Sequence, residues 1–192
     1  LAANGPKMLA LAGELCDGAI VLAGISPEHI QRVRSLVATG AVRAGRSLED
    51  IDICMGVHCH VSDGDDAWRL VKPLVVGTAQ TGGKDALSAI GIRCDPPPVV
   101  GGIYPDVSHA EDWEAAAEAC DAWVTDADAR RYAQAFCAIG SIDTCRERLA
   151  QAESTGVSSF YLRHLGSYTL PQELISAFTP VLDKPVRPGV RT

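Results

Sequence analysis

Two histidines separated by one residue, in the stretch Ile53-Cys54-Met55-Gly56-Val57-His58-Cys59-His60-Val61, are the side chains of this sequence best suited to chemistry. Imidazole changes charge near neutral pH, so it can move a proton or hold a cofactor ring. In a strand this spacing puts His58 and His60 on one face with Cys54 and Gly56, and Ile53, Met55, Val57 and Val61 on the other. His60, nearer the strand's end, is the stronger catalytic candidate of the two. A hydrogen-bonded place in a polar core is the alternative for both. With Cys54 or Cys59 the pair still lacks a third metal ligand, so no metal site is expected.

The opening, Leu1-Ala2-Ala3-Asn4-Gly5-Pro6-Lys7, holds the second candidate. Its first three residues read as the end of a strand, and the turn Asn4-Gly5-Pro6 leads straight into a helix, with Pro6 suited to the first turn. Free N–H groups and the helix dipole make such a start a ready anion site. A plain capped helix is the alternative, and Lys7 is then simply solvated. Arg163 and His164 end a later strand, where a phosphate or anionic substrate is often held; ordinary surface charges are the alternative there.

The elements that must position these residues follow from periodicity. Met8, Leu9, Leu11, Ala12 and Leu15 have helical spacing, and the apolar run 19–23 suits a strand buried on both faces. Ser26-Pro27 starts a helix that runs toward Gly45. A strand over 50–61 and a helix over 64–76 come next. The segment 77–109, rich in Gly and Pro, reads as an irregular excursion. Helices are expected over 110–120, 126–136 and 142–155, a strand over 157–164 and a last helix over 172–182, with a frayed Pro-rich tail at 183–192. The three tryptophans, Trp68, Trp113 and Trp123, read as packing residues, and Arg130-Arg131 and Arg146-Arg148 as exposed helix faces.

Alternation of strand and helix predicts parallel pairing through right-handed crossovers. Three complete strands and one truncated first strand make an α/β fold: a single partial domain over 1–192, forming the C-terminal portion of a (β/α)8 barrel whose usual size is about 250 residues. Such a portion exposes sheet edges and an apolar face, so a homo-oligomer or pairing with an N-terminal barrel half is expected.

Composition narrows the partners. A net charge of −7 and the lack of a basic block argue against nucleic acid. Seven cysteines without a Cys-x-x-Cys pair read as reduced thiols, and no apolar run reaches the roughly 20 residues of a spanning helix, so a cytoplasmic protein without membrane contact is expected.

Three segments carry a resemblance: "AANGPKMLALAGELCDGAIVLAGISPEHIQRV", "AGRSLEDIDICMGVHCHVSD" and "GSIDTCRERLAQAESTGVSSFYL". In this order and spacing they resemble the luciferase-like oxidoreductase family, and the first is most similar to its methylenetetrahydromethanopterin reductase branch. The resemblance implies a TIM-like barrel, represented here from the end of its fifth strand through its eighth. It also implies hydride transfer between a small-molecule substrate and coenzyme F420, a deazaflavin, with FMN as the alternative cofactor. Ala3, Asn4 and Gly5 would then offer backbone N–H groups to the cofactor phosphate, Asn4 also its side chain, with Pro6 completing the turn. A non-catalytic half-barrel that binds cofactor or a partner chain is the alternative from another class.

Overall fold

The computed structural model describes residues 1–64, 67–166 and 170–182; the tail expected at 183–192 lies outside them. Its first residues are indeed a strand end. Ala2 bridges Ile20 in parallel, Ile20 N–H donates to the Leu1 carbonyl, and Ala3 N–H donates to the Ile20 carbonyl, both at 2.9 Å. Helix α1 (Pro6–Leu15) follows, then β1 (Gly18–Val21), α2 (Pro27–Arg43) and the long strand β2 (Asp52–Val61). Ser26 starts α2 as its sequence predicts, its hydroxyl accepting the His29 N–H while Pro27 occupies the first turn.

The expected helix over 64–76 is shifted. A 3-10 turn, Ala67–Val71, leads into α3 (Lys72–Gln80), and a short α4 (Lys84–Ala89) comes next, so the segment 77–109 is less irregular than its glycines and prolines imply. Helices α5 (Trp113–Ala119) and α6 (Asp126–Phe136) precede a strand that periodicity does not reveal, β3 (Cys137–Gly140). Helix α7 (Ile142–Ser154), β4 (Ser159–Arg163) and α8 (Gln172–Leu182) complete the described chain.

All strand pairs are parallel and β2 is their hub. Cys54 pairs with Ile20 of β1 and with Ser159 of β4, so β1 and β4 flank opposite edges of β2. His58 pairs with Cys137 of β3 and with Arg163 of β4, which puts β3 opposite β4. Therefore β1 and β3 share one edge, β1 along the first half of β2 and β3 along the second. The sheet is an unclosed parallel sheet among the described residues.

One face of the sheet is covered by helices. Ile53, Met55, Val57 and Cys59 of β2 pack there with Leu9, Ile30, Val33, Val37, Cys145 and Leu149 of α1, α2 and α7, burial that supplies most of the fold's stability at about 25 cal/mol per Å² of apolar surface. Helices α1 and α2 approach until their backbones touch: a Cβ on Gly13 would lie 2.0 Å from the Val37 carbonyl oxygen, and one on Gly40 would lie 1.7 Å from that of Ala10. A second core joins α3, α4, α6 and the segment between α4 and α5, and includes Cys137 of β3. The other sheet face is partly bare, with Ile20 44% and Tyr161 58% exposed.

Arg130 and Arg131 are exposed as expected, whereas Arg146 and Arg148 are only partly exposed. Arg148 donates to the Cys137 carbonyl at 2.9 Å, Arg146 to that of Ala177 at 3.0 Å, and Arg130 lies 4.3 Å over the Trp68 ring. All seven cysteines are free thiols, five of them buried.

Candidate cofactor and substrate site

Strand ends and helix starts meet along the carboxyl edge of the sheet, where parallel α/β folds place ligands. Two features lie there, the turn that opens α1 and a cavity beside His60.

Gly5 is the N-cap of α1, with φ −85° and ψ 155°, and no side chain caps the helix. The first helical bond runs from the Leu9 N–H to the Gly5 carbonyl, so the N–H groups of Lys7 and Met8 lack an intrahelical acceptor. A Cβ on Gly5 would meet no atom of the chain within 4 Å. Neither backbone geometry nor packing therefore requires glycine, whereas a ligand seated on the turn would. Asn4 is tied down: its Oδ1 accepts the Leu22 N–H at 2.7 Å, which fixes the turn to the end of β1 and leaves its amide NH2 as the group able to face an anion. Ala3 departs from expectation. It is buried and its N–H is used in the pairing with Ile20, so it positions the turn instead of donating to a phosphate. Pro6 is exposed at the first helical position and has no N–H to offer.

The two histidines lie on the sheet face away from α1 and α2, as alternation predicts. His58 sits in register with Arg163. Burial pushes its pKa down to about 3, with the Arg163 and His164 charges adding to the effect. Burial thus favours the uncharged form of His58 near neutral pH. His60 is half-buried and its pKa is also lowered, mainly by burial; Glu173 and Glu114 oppose that shift and His164 reinforces it. Cys59 points to the face of β2 opposite His58 and His60.

Because His58 charges in the unfolded chain near its ordinary pKa of about 6.5 but in the native chain only near 3, the unfolded state binds the extra proton between these values. Stability is unaffected by this group at pH 7 and falls as pH drops through that window, by about 2 kcal/mol at pH 5. Urea unfolding of the parent and of His58→Gln at pH 7 and pH 5 checks this: the variant should lose about 2 kcal/mol less on acidification. Equal losses in the two proteins would refute the assignment.

The cavity, about 500 Å³, opens over the ends of β2 and β4. His60, His164, Leu70, Trp113, Glu114 and Glu173 are among the residues that line it. Trp113 was expected merely to pack; here its indole N–H donates to the Leu70 carbonyl at 2.8 Å and its ring forms a wall. Glu114 and Glu173 come from helices 59 residues apart in sequence, so no local pattern signals their meeting at His60.

The sequence matches the luciferase-like monooxygenase family over residues 1–159. The chain belongs to that family. It is 31% identical over 80 residues to 5,10-methylenetetrahydromethanopterin reductase of Methanolobus tindarius, a match covering 40% of this chain and 24% of the relative. Its fold resembles the coenzyme F420 dependent tetrahydromethanopterin reductase of Methanopyrus kandleri, with a TM-score of 0.61 and 24% identity over 92% of this chain and 47% of that one. It also resembles a riboflavin lyase solved with modified FMN and riboflavin, with a TM-score of 0.55 and 15% identity over 94% and 41% of the two chains. The chain thus spans less than half the length of these relatives. The luciferase-like family has members that depend on coenzyme F420 and members that depend on FMN. Among the described residues no helix is long and apolar enough to cross a membrane.

Proposed function

We propose that this chain is the cofactor-phosphate portion of a luciferase-like oxidoreductase that passes a hydride between a small organic substrate and coenzyme F420, with FMN as the second choice. The observation that carries the reading is Gly5: an uncapped helix start at the carboxyl edge of the sheet, with open space where any other side chain would project. Such a start fits a phosphate, because its free N–H groups and dipole both favour negative charge. When bound, the cofactor supplies a ring that gives or takes a hydride.

The chain's own residues do the rest. Gly5 and the first turn of α1 present donors to the phosphate, and Asn4 holds that turn against β1 through Leu22. His60, neutral through burial, takes or gives a proton at the substrate from the end of β2. The bare sheet face at Ile20 and Tyr161 supports a further part of this reading, that an N-terminal barrel half or a second copy covers it. The same face would equally serve a non-catalytic half-barrel, which would bind cofactor or partner without turnover.

Gel filtration of the chain with coenzyme F420 or FMN, monitored by absorbance and light scattering, tests these statements together. The chain should carry one cofactor at near-stoichiometric level. Gly5→Val should weaken that uptake at least tenfold while leaving the unfolding midpoint unchanged, since its side chain meets nothing in the protein. Uptake unaltered by the valine would overturn the phosphate assignment. A monodisperse monomer that carries cofactor would remove the partner.

A further inference from the structure

The charge on the cavity wall is one-sided. Four carboxylates, Glu111, Asp112, Glu114 and Glu173, line it, and among the described residues of its lining none is lysine or arginine. Asp112 is partly spent on the chain itself, its Oδ1 accepting the Ala115 N–H at the start of α5. Glu114 and Glu173 are not tied in this way, and their charges reach His60 across the cavity. Glu173 is held in place by its neighbour Leu174, which is buried in the main core and sets the rotation of α8 over β2. The indole of Trp113 is fixed by its bond to Leu70 and offers the cavity only its ring.

A wall built of carboxylates and an aromatic ring repels carboxylates and phosphates, and attracts a group that brings its own positive charge. We propose that this cavity takes an organic cation or protonated amine, whose charged nitrogen lies between Glu114 and Glu173 and against Trp113, within reach of His60. This names the substrate class of the oxidoreductase and rests on the reading that substrate binds beside His60. A volume of about 500 Å³ suits a small molecule of this kind. The phosphate of the cofactor then belongs to the α1 turn, and the two ends of the site carry opposite preferences. Arg163 and His164, which end β4, thus stand beside a cation-selective wall instead of an anion site.

The test uses benzyltrimethylammonium as the cation and benzenesulfonate as an anion of similar size, each titrated into the 192-residue chain at fixed ionic strength. The histidine ring protons are followed by NMR, with those of His60 identified by their loss in His60→Gln. The cation should shift the His60 signals saturably and lower the pH midpoint of their titration; the anion should leave them in place. Glu114→Gln with Glu173→Gln, which keeps side-chain shape, should weaken cation binding at least tenfold. No saturable shift with the cation, an equal shift with the sulfonate, or unchanged affinity in the double variant would each overturn the proposal, and the first two need no variant. Cofactor uptake, measured separately, distinguishes the two readings. Uptake without cation binding removes the substrate class alone, whereas cation binding without uptake removes the oxidoreductase reading and leaves a cation site.

Discussion

Gly40→Ala is expected to destabilise the chain by about 3 kcal/mol or more, although alanine is the better helix former by about 1 kcal/mol. The added methyl would stand 1.7 Å from the Ala10 carbonyl oxygen, an atom of the α1 backbone that cannot swing aside as a side-chain tip can. To admit it, α1 and α2 must separate, and Leu9, Ala12, Val33 and Val37 would lose contact along the whole crossing. Urea unfolding followed by circular dichroism measures the loss. Gly5→Ala is the matched control: its methyl meets nothing within 4 Å and its φ of −85° suits any residue, so its midpoint should stay within a few tenths of a kcal/mol of the parent. If Gly40→Ala also stayed that close, the helices would not be in backbone contact.

The second large effect concerns Lys72, whose side chain is only 4% exposed while its partners Asp121 and Asp126 are 46% and 65% exposed. Its ammonium donates to both carboxylates, at 2.7 Å in the case of Asp126. Burial works to lower its pKa, but these two bonds prevail and lift it above the usual lysine value. The asymmetry of exposure makes the two ways of breaking the cluster unequal. Asp121→Asn with Asp126→Asn strands a buried cation and should cost about 3 kcal/mol at pH 7. Lys72→Met leaves an apolar chain of similar length in the pocket and returns two carboxylates to water, so it should stay within about 1 kcal/mol of the parent. Thermal or urea unfolding of the two variants decides the matter; equal losses would mean that the lysine is solvated in the native state.

Much of this architecture is legible from residue types. Ser26-Pro27 marks a helix start that the structure reproduces, because capping is a local hydrogen-bond requirement that needs no tertiary context. The alternation in β2 places His58 and His60 away from the helices correctly for the same reason. Strand β3 escapes detection since four residues hold only two periods, and α6 runs into it without a break. The proximity of Glu114 and Glu173 to His60 is invisible for a different reason. It depends on how α5 and α8 dock, and docking is decided by tertiary contacts such as the burial of Leu174 and the bond from Trp113 to Leu70. Ala3 shows the converse error: a helix start reads as a row of donors, but one of them had already been consumed by the strand before it.

Strand β3 also changes how the part of the chain that follows β2 can vary. Val61 pairs with Gly140, and Ser62 N–H donates to the Gly140 carbonyl at 2.9 Å, so the chain leaves the sheet and rejoins it at one spot. The described residues between that spot and Phe136 build a core largely of their own. A unit joined in this way is a cassette: its helices can be lengthened, exchanged or resurfaced while that pairing keeps His60 where it is. The wall of the cavity can thus be rebuilt without rebuilding the strand that carries His60.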